Sequence, residues 1–316
     1  MRRFKSILCV FDGEIGANAA FERARQLARQ NDAKLTIMHS IDGAPEGSTS
    51  DADSRINEIW SAAEEDWRYQ LELLSESARR DGTEVRIEVR TGRPFLEIIQ
   101  EVLANRHDLV IKSAQSISAT KELLFGGTDM HLMRKCPCPV WIEKETSPTS
   151  HRRILAAVDI APGGSEKPLL NKMIMDLATS VADMEGARLD VVYAWFLPGE
   201  ARLRSKAIVR PAYARLDMLL REERSACKAA FQSLIELYRT HPAIIEDNFI
   251  NGDPSSVTPA FAATHAVDLI VMGTVGRSGI AGFFMGNTAE HVLRQVNCAV
   301  LTVKPSDFES PVHSRH

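Results

Sequence analysis

The residues best suited to chemistry are Gly273-Thr274-Val275-Gly276, followed after nine intervening residues by Gly286-Asn287-Thr288. The first pair of glycines comes directly after the apolar run LIVM, where a buried parallel strand would end. Open α/β sheets take ligands at the carboxyl ends of their strands. Glycine lets a backbone approach a phosphate closely. Gly286, Asn287 and Thr288 would open the next helix, whose first N–H groups favour an anion. Asp159 ends an earlier apolar run, ILAAV, and would face the same crevice as an acceptor for a base or sugar. These residue types at this spacing point to a nucleotide-sized pocket. The simpler alternative is that the glycines shape a tight loop and Asn287 or Thr288 caps a helix.

The elements that must position these residues occur twice. Leu109 to Lys144 reappears as Leu269 to Lys304 at a constant offset of 160 (269 − 109). Thr91-Gly92-Arg93-Pro94 matches Asn251-Gly252-Asp253-Pro254 at the same offset. KSILCVFD, ending at Asp12, matches RRILAAVD, ending at Asp159, at an offset of 147. AKLTIMHS from Ala33 matches ARLDVVYA from Ala187 at 154, so insertions fall in loops. A period near 150 residues marks a duplicated globular domain, because solenoid repeats are far shorter. The boundaries are 1–146 for the first domain, 150–306 for the second and 307–316 for a C-terminal tail, with an exposed linker expected from Glu143 to Arg152. Each copy alternates short β-branched runs with helical patterns, which predicts an α/β fold with parallel strands covered by helices.

In bulk, 316 residues suffice for two such domains. Lys+Arg 38 against Asp+Glu 42, a net charge of −4, supplies no global basic field, so nucleic acid is not an expected partner. No apolar run approaches the ~20 residues of a membrane helix. Five cysteines without framework spacing fit reduced thiols and predict a cytoplasmic protein.

The chain resembles the universal stress proteins in tandem form, over essentially its whole length. The motif of nucleotide-binding members, G-2x-G-9x-G-[S/T], reads here as Gly273, Gly276 and Gly286, with Asn287 in place of the hydroxyl residue. The resemblance implies two tandem doubly wound, five-stranded, Rossmann-like parallel sheets related by a pseudo-twofold axis and meeting through strand 5 of each domain, with higher oligomers open. It also implies an adenine nucleotide, ATP first, with or without Mg²⁺. Ala157, Val158 and Asp159 would lie against the base, Ala194 and Met272 would wall the adenine, and Gly273, Gly276, Arg277, Gly286, Asn287 and Thr288 would hold ribose and phosphates. The expected function is a stress-response sensor or adaptor without efficient turnover and with a downstream protein partner. Alternatives are a binding protein for another phosphate-bearing or lipid-like metabolite, suggested by Ile280 to Met285, and a slow ATPase.

The first copy departs from the motif. Ser113-Ala114-Gln115-Ser116 stands where the second has GTVG, although Asp12 and Gly126-Gly127-Thr128 remain, so the first site is expected to be degenerate. Cys136-Pro137-Cys138 is not the CxxC redox motif, and its cysteines are expected to be buried small hydrophobes. His131 and His291 are equivalent and predict a shared structural place between the copies. Arg202, Arg204, Lys206, Arg210 and Arg215 read as a solvated loop and helix face, or as an anion-facing lid. No nucleophile with a base, Walker motif or metal cluster is legible, and Gly163-Gly164-Ser165 reads as a helix cap.

Overall fold

The computed structural model describes residues 3–12, 19–43, 51–114, 125–144, 148, 150–160, 167–197, 199–200, 202, 210–243, 245–274 and 285–313, with backbone alone at 51–57, 167–168 and 210–213. The first half runs β1 (Ser6–Val10), α1 (Ala19–Asn31), β2 (Lys34–Ile41), α2 (Asp51–Arg80), β3 (Val85–Thr91), α3 (Pro94–Asn105), β4 (Leu109–Ser113), α4 (Gly127–Lys135) and β5 (Val140–Glu143). The second half runs β6 (Arg153–Ala157), α5 (Lys167–Glu185), β7 (Arg188–Trp195), α6 (Arg210–Glu236), β8 (Ile245–Asn251), α7 (Pro254–Thr264), β9 (Leu269–Gly273), α8 (Asn287–Gln295) and β10 (Ala299–Val303).

Two compact units result. One comprises Met1–Ser150, Thr274–Gly286 and Asn297–His316; the other comprises His151–Gly273 and Asn287–Val296. In the first, the strand order is β3-β2-β1-β4-β5-β10. All its pairings are parallel except the last, where Val300, Leu301 and Thr302 of β10 run antiparallel to Ile142, Trp141 and Val140 of β5. In the second, the order is β9-β6-β7-β8 and every pairing is parallel. Each half of the chain supplies five strands, but the compact units hold six and four, because β10 belongs to the first.

The registers of the two units coincide. Ile7 lies between Leu35 and Leu109. Ile154 lies between Leu189 and Leu269. The sequence offsets carry one trio onto the other (7 + 147, 35 + 154, 109 + 160). Strands β1, β4 and β5 are buried along nearly their whole length, as expected of central strands covered on both faces. Helix α1 buries Ala20, Phe21, Ala24, Leu27 and Ala28, spaced at i, i+1, i+4, i+7 and i+8, as one face on that sheet. Full burial of one such Leu or Phe is worth about 2 kcal/mol.

The paired turns after β3 and β8 explain their shared glycine. Gly92 and Gly252 have φ of +149° and +147°, and each donates its N–H to the end of the neighbouring strand, at Ile41 and Trp195. A Cβ there would stand 2.5 Å from Glu97 Oε1 in the first unit and 2.8 Å from Val257 Cγ2 in the second. Pro94 and Pro254 then occupy the first helical position, where a missing N–H costs nothing. The linker expectation needs correction at two residues. Glu143 ends β5 fully buried against Arg23 (Nε to Oε2, 3.3 Å), and His151 is likewise buried.

Candidate functional site

The order β9-β6-β7 sets the ends of three adjacent strands side by side in the second unit. Beyond the end of β6, Val158 N–H donates to the Val192 carbonyl (3.0 Å), which carries the pairing one residue past the strand and buries the Val158 side chain. The next residue, Asp159, turns outward and is exposed. Its backbone is held from α5 by one amide with two arms: Asp159 N–H donates to Asn171 Oδ1 (3.0 Å), and Asn171 Nδ2 donates to the Asp159 carbonyl (2.8 Å). Tyr193 Oη donates to the Ile160 carbonyl (2.9 Å). Ala157 is half-buried, whereas Ala194 at the end of β7 and Met272 at the end of β9 are buried. Gly273 leaves room for Leu170 of α5, whose Cδ2 would lie 2.8 Å from an added Cβ. The structure thus brings together Ala157, Val158, Asp159, Ala194, Met272 and Gly273: one exposed carboxylate beside an apolar floor.

Asn287 and Thr288 form the first turn of α8 and are exposed. In the first compact unit, Gly286 N–H donates to the Thr274 carbonyl (2.9 Å). Thr274 is buried, and its Oγ1 has no hydrogen-bond partner among the described residues. Gly276, Arg277, residues 280–284, Gln115, Ser116 and residues 163–165 lie outside the described residues.

The equivalent crevice of the first unit is built from different chemistry. Asp12 stands at the position of Asp159, Lys112 at that of Met272 and Asp129 at that of Ala289 (12 + 147, 112 + 160, 129 + 160). Lys112, 1% exposed, places its Nζ 2.5 Å from Asp12 Oδ2 and 3.0 Å from Asp129 Oδ1, and donates to the Ser113 carbonyl at 2.8 Å. Asp129 Oδ2 accepts the Gly126 N–H (3.0 Å), tying the triad to the start of α4. Burial opposes the Lys112 charge, but Asp129 and Asp12 outweigh it and hold the ammonium above its ordinary pKa. Burial pushes the Asp129 carboxyl up, and Lys112 offsets this only in part. Phe11 replaces Val158 and is fully buried, edge-on to Trp67 at 6.3 Å. His39 stacks on Trp67 (3.7 Å, 15°) with Nδ1 2.7 Å from the Phe11 carbonyl oxygen. Burial holds His39 below its ordinary pKa. An internal ion triad and three rings therefore occupy the strand ends of the first unit. Sequence reasoning located the departure at Ser113 to Ser116 and missed Lys112 and Asp129. The available signal was that both charges appear in one copy and both vanish in the other.

A second cluster follows the same division. Glu101 of α3 is fully buried, with its carboxylate taken by Arg86, Arg90, Asn105 Nδ2 (2.8 Å) and His107 Nε2 (3.3 Å). Its counterpart, Phe261 of α7, stacks on His265 (3.9 Å, 21°). His131 and His291 also part company. His131 stacks on Phe95 (4.2 Å), whereas His291 is exposed and its Nδ1 lies 2.8 Å from the Asn287 carbonyl oxygen. All five cysteines are free and buried.

The sequence profile of the universal stress protein family matches residues 3–144 and 150–304. The chain belongs to the universal stress protein family. It carries that domain in tandem and is similar to universal stress protein E of Salmonella typhi, 29% identical over 328 aligned positions covering 99% of this chain and 98% of the relative. The corresponding Escherichia coli (strain K12) protein is 33% identical over 227 positions, covering 70% and 68%. Among solved structures, a functionally unknown protein from Pseudomonas aeruginosa PAO1 shares the fold with a TM-score of 0.72, 23% identity and coverage of 97% and 94%. A universal stress protein from Archaeoglobus fulgidus DSM 4304 shares it at 0.64, with 18% identity and coverage of 95% and 98%. In this tandem universal stress protein, no helix among the described residues is long and apolar enough to cross a membrane.

Proposed function

We propose that this universal stress protein is a cytoplasmic stress-response sensor or adaptor that holds an adenine nucleotide, ATP first, at the strand ends of its second half. The observation that carries this reading is the contrast at equivalent positions: Asp159, Met272 and Ala289 stand where the first half has the closed triad Asp12, Lys112 and Asp129. An apolar floor of Val158, Ala194 and Met272 suits the face of a purine, and the Asp159 carboxylate suits hydroxyl or amine donors. The N–H groups at the start of α8, with Asn287 and Thr288, suit phosphate oxygens. Carboxylate, amide, hydroxyl and backbone N–H groups of this kind lower the energy of bound ATP together with that of any transition state, so affinity does not bring rate.

Titration calorimetry with ATP tests the reading: one site per chain is expected, and mass spectrometry of ligand released from purified protein should find an adenine nucleotide. Turnover should stay far below the ~1 s⁻¹ at which ordinary enzymes begin. Two equal sites, or a copurified ligand without a purine, would overturn it.

A further inference from the structure

The sequence Cys136-Pro137-Cys138-Pro139 lies between α4 and β5 in the first compact unit. Cys136 caps α4, its N–H donating to the Leu132 carbonyl (2.9 Å), and the two prolines fix φ on either side of Cys138. The thiols are buried with Sγ to Sγ at 3.6 Å, already in van der Waals contact. Lys304, the residue after β10, is 3% exposed. Its Nζ has no hydrogen-bond partner among the described residues and sits 5.2 Å from the Phe308 ring centre. The segment after it folds over the end of α4, with Ser310 Oγ donating to the Lys135 carbonyl (2.9 Å). A buried amine of this kind is costly unless a negative charge compensates it, and the charge-bearing groups that act on it are Cys136 and Cys138.

We propose that Cys136 and Cys138 are a peroxide-reactive dithiol that closes reversibly to a disulfide, with Lys304 as its positioning residue. Burial pulls the Lys304 amine down to about 8, with the two thiols working the other way. Burial opposes the Cys136 thiolate, but the Cys138 S–H and Lys304 outweigh it and bring the group below its ordinary value. Cys138, whose sulfur touches that of Cys136, is pushed well above its own, by that contact first and by burial second. The roles divide accordingly. The Cys136 thiolate attacks one oxygen of hydrogen peroxide and the O–O bond breaks. Cys136 becomes a sulfenic acid, and the departing hydroxide takes a proton to become water. Cys138 then attacks the Cys136 sulfur as its own proton leaves with the sulfenic oxygen, so that the S–S bond forms, the S–O bond breaks and a second water departs. The dithiol loses two electrons and the peroxide gains them. Closure draws the sulfurs from 3.6 Å to about 2.05 Å. A small dithiol reductant reverses it through a mixed disulfide. With Cys136 0% and Cys138 9% exposed, the reaction is confined to a small oxidant and local opening of the covering segment.

The test exposes full-length protein to hydrogen peroxide, blocks remaining thiols with iodoacetamide under denaturing conditions and digests with trypsin, which releases CPCPVWIEK. The expected peptide is unalkylated and lighter by two hydrogens, and dithiothreitol restores both alkylation sites. Cys138→Ser should stop at a Cys136 sulfenic acid trapped by dimedone. Lys304→Met should slow oxidation about tenfold, the effect of one pKa unit on thiolate fraction, and Lys304→Arg should restore most of the rate. Circular dichroism checks each fold. Both sites still alkylated in the wild type, sulfinic or sulfonic products without a disulfide, or oxidation of Cys9 and Cys227 at the same rate would overturn the proposal. A Lys304→Met rate equal to wild type would overturn the role of Lys304.

Discussion

At the strand ends of the first half, a lysine and two aspartates neutralise one another behind a ring stack, whereas the same positions of the second half carry one exposed aspartate beside a methionine and an alanine. The backbone is shared, down to the hydrogen bond that extends the strand at Phe11 and at Val158. What separates the halves is two side chains that change together, Lys112 to Met272 and Asp129 to Ala289, around an aspartate that both keep. A carboxylate at the end of the first strand is in itself neutral between two outcomes. Beside the ammonium of Lys112 in the neighbouring strand Asp12 becomes structure, whereas Asp159 stands exposed. Duplication would allow the proposed division, because each copy needs the fold and one site is enough.

The contrast can be tested most severely at Lys112. Lys112→Met leaves Asp129 buried beside an apolar side chain, and we expect a loss of about 4 kcal/mol in chemical denaturation. Adding Asp129→Ala, which copies the second half, should recover at least half of that. A single substitution costing less than about 1 kcal/mol, or a double no better than the single, would break the comparison. Glu101→Gln should cost roughly 3 kcal/mol at neutral pH for the same reason. His107, Arg86 and Arg90 outweigh burial and hold the Glu101 carboxyl below 4.5. Its contribution is therefore present above that value and lost as pH falls through the lower folded pKa, so denaturation midpoints of the variant should vary less with pH in that window. Asp159→Ala should weaken ATP binding about tenfold, or about 1.4 kcal/mol, in calorimetry, with Asp12→Ala leaving the affinity unchanged. The smallest effect belongs to Gly273→Ala. The Leu170 side chain alone must move aside, at Cδ2 and slightly at Cγ, so a loss of about 1 kcal/mol or less is expected in thermal denaturation.

Much of this arrangement was legible beforehand. Unbroken apolar runs gave the central strands, and the offsets of 147, 154 and 160 gave a register that the paired residues obey. Asp159 and Gly273 could be brought together from topology alone, because the end of a parallel strand is a fixed place in the fold, whereas Ala194 and Met272 came from the resemblance. Lys112 was not legible as a site residue. A lone charge inside an apolar run carries no sign of its partner, and its partners lie 100 residues before it and 17 after (112 − 12, 129 − 112). Glu143 hid in the same way. Its neighbours read as linker, and only the approach of Arg23 from α1 reveals it as a buried ion pair. The pairing of β10 with β5 leaves no trace in the local sequence of either strand; only the resemblance, which implied a meeting of strand 5 from each half, pointed to it.

That last pairing bears on how the chain comes to be folded. Residues 140–142 must wait for residues 300–302, so the first sheet to be synthesised is the last to be finished. During synthesis β5 stands as an open edge carrying Trp141 and Ile142, side chains fully buried in the finished protein. Closing so long an intervening stretch slows assembly more than it weakens the result. A fragment ending at residue 146 would keep every strand of the first repeat and still present that edge, a ready template for pairing with a second copy of itself.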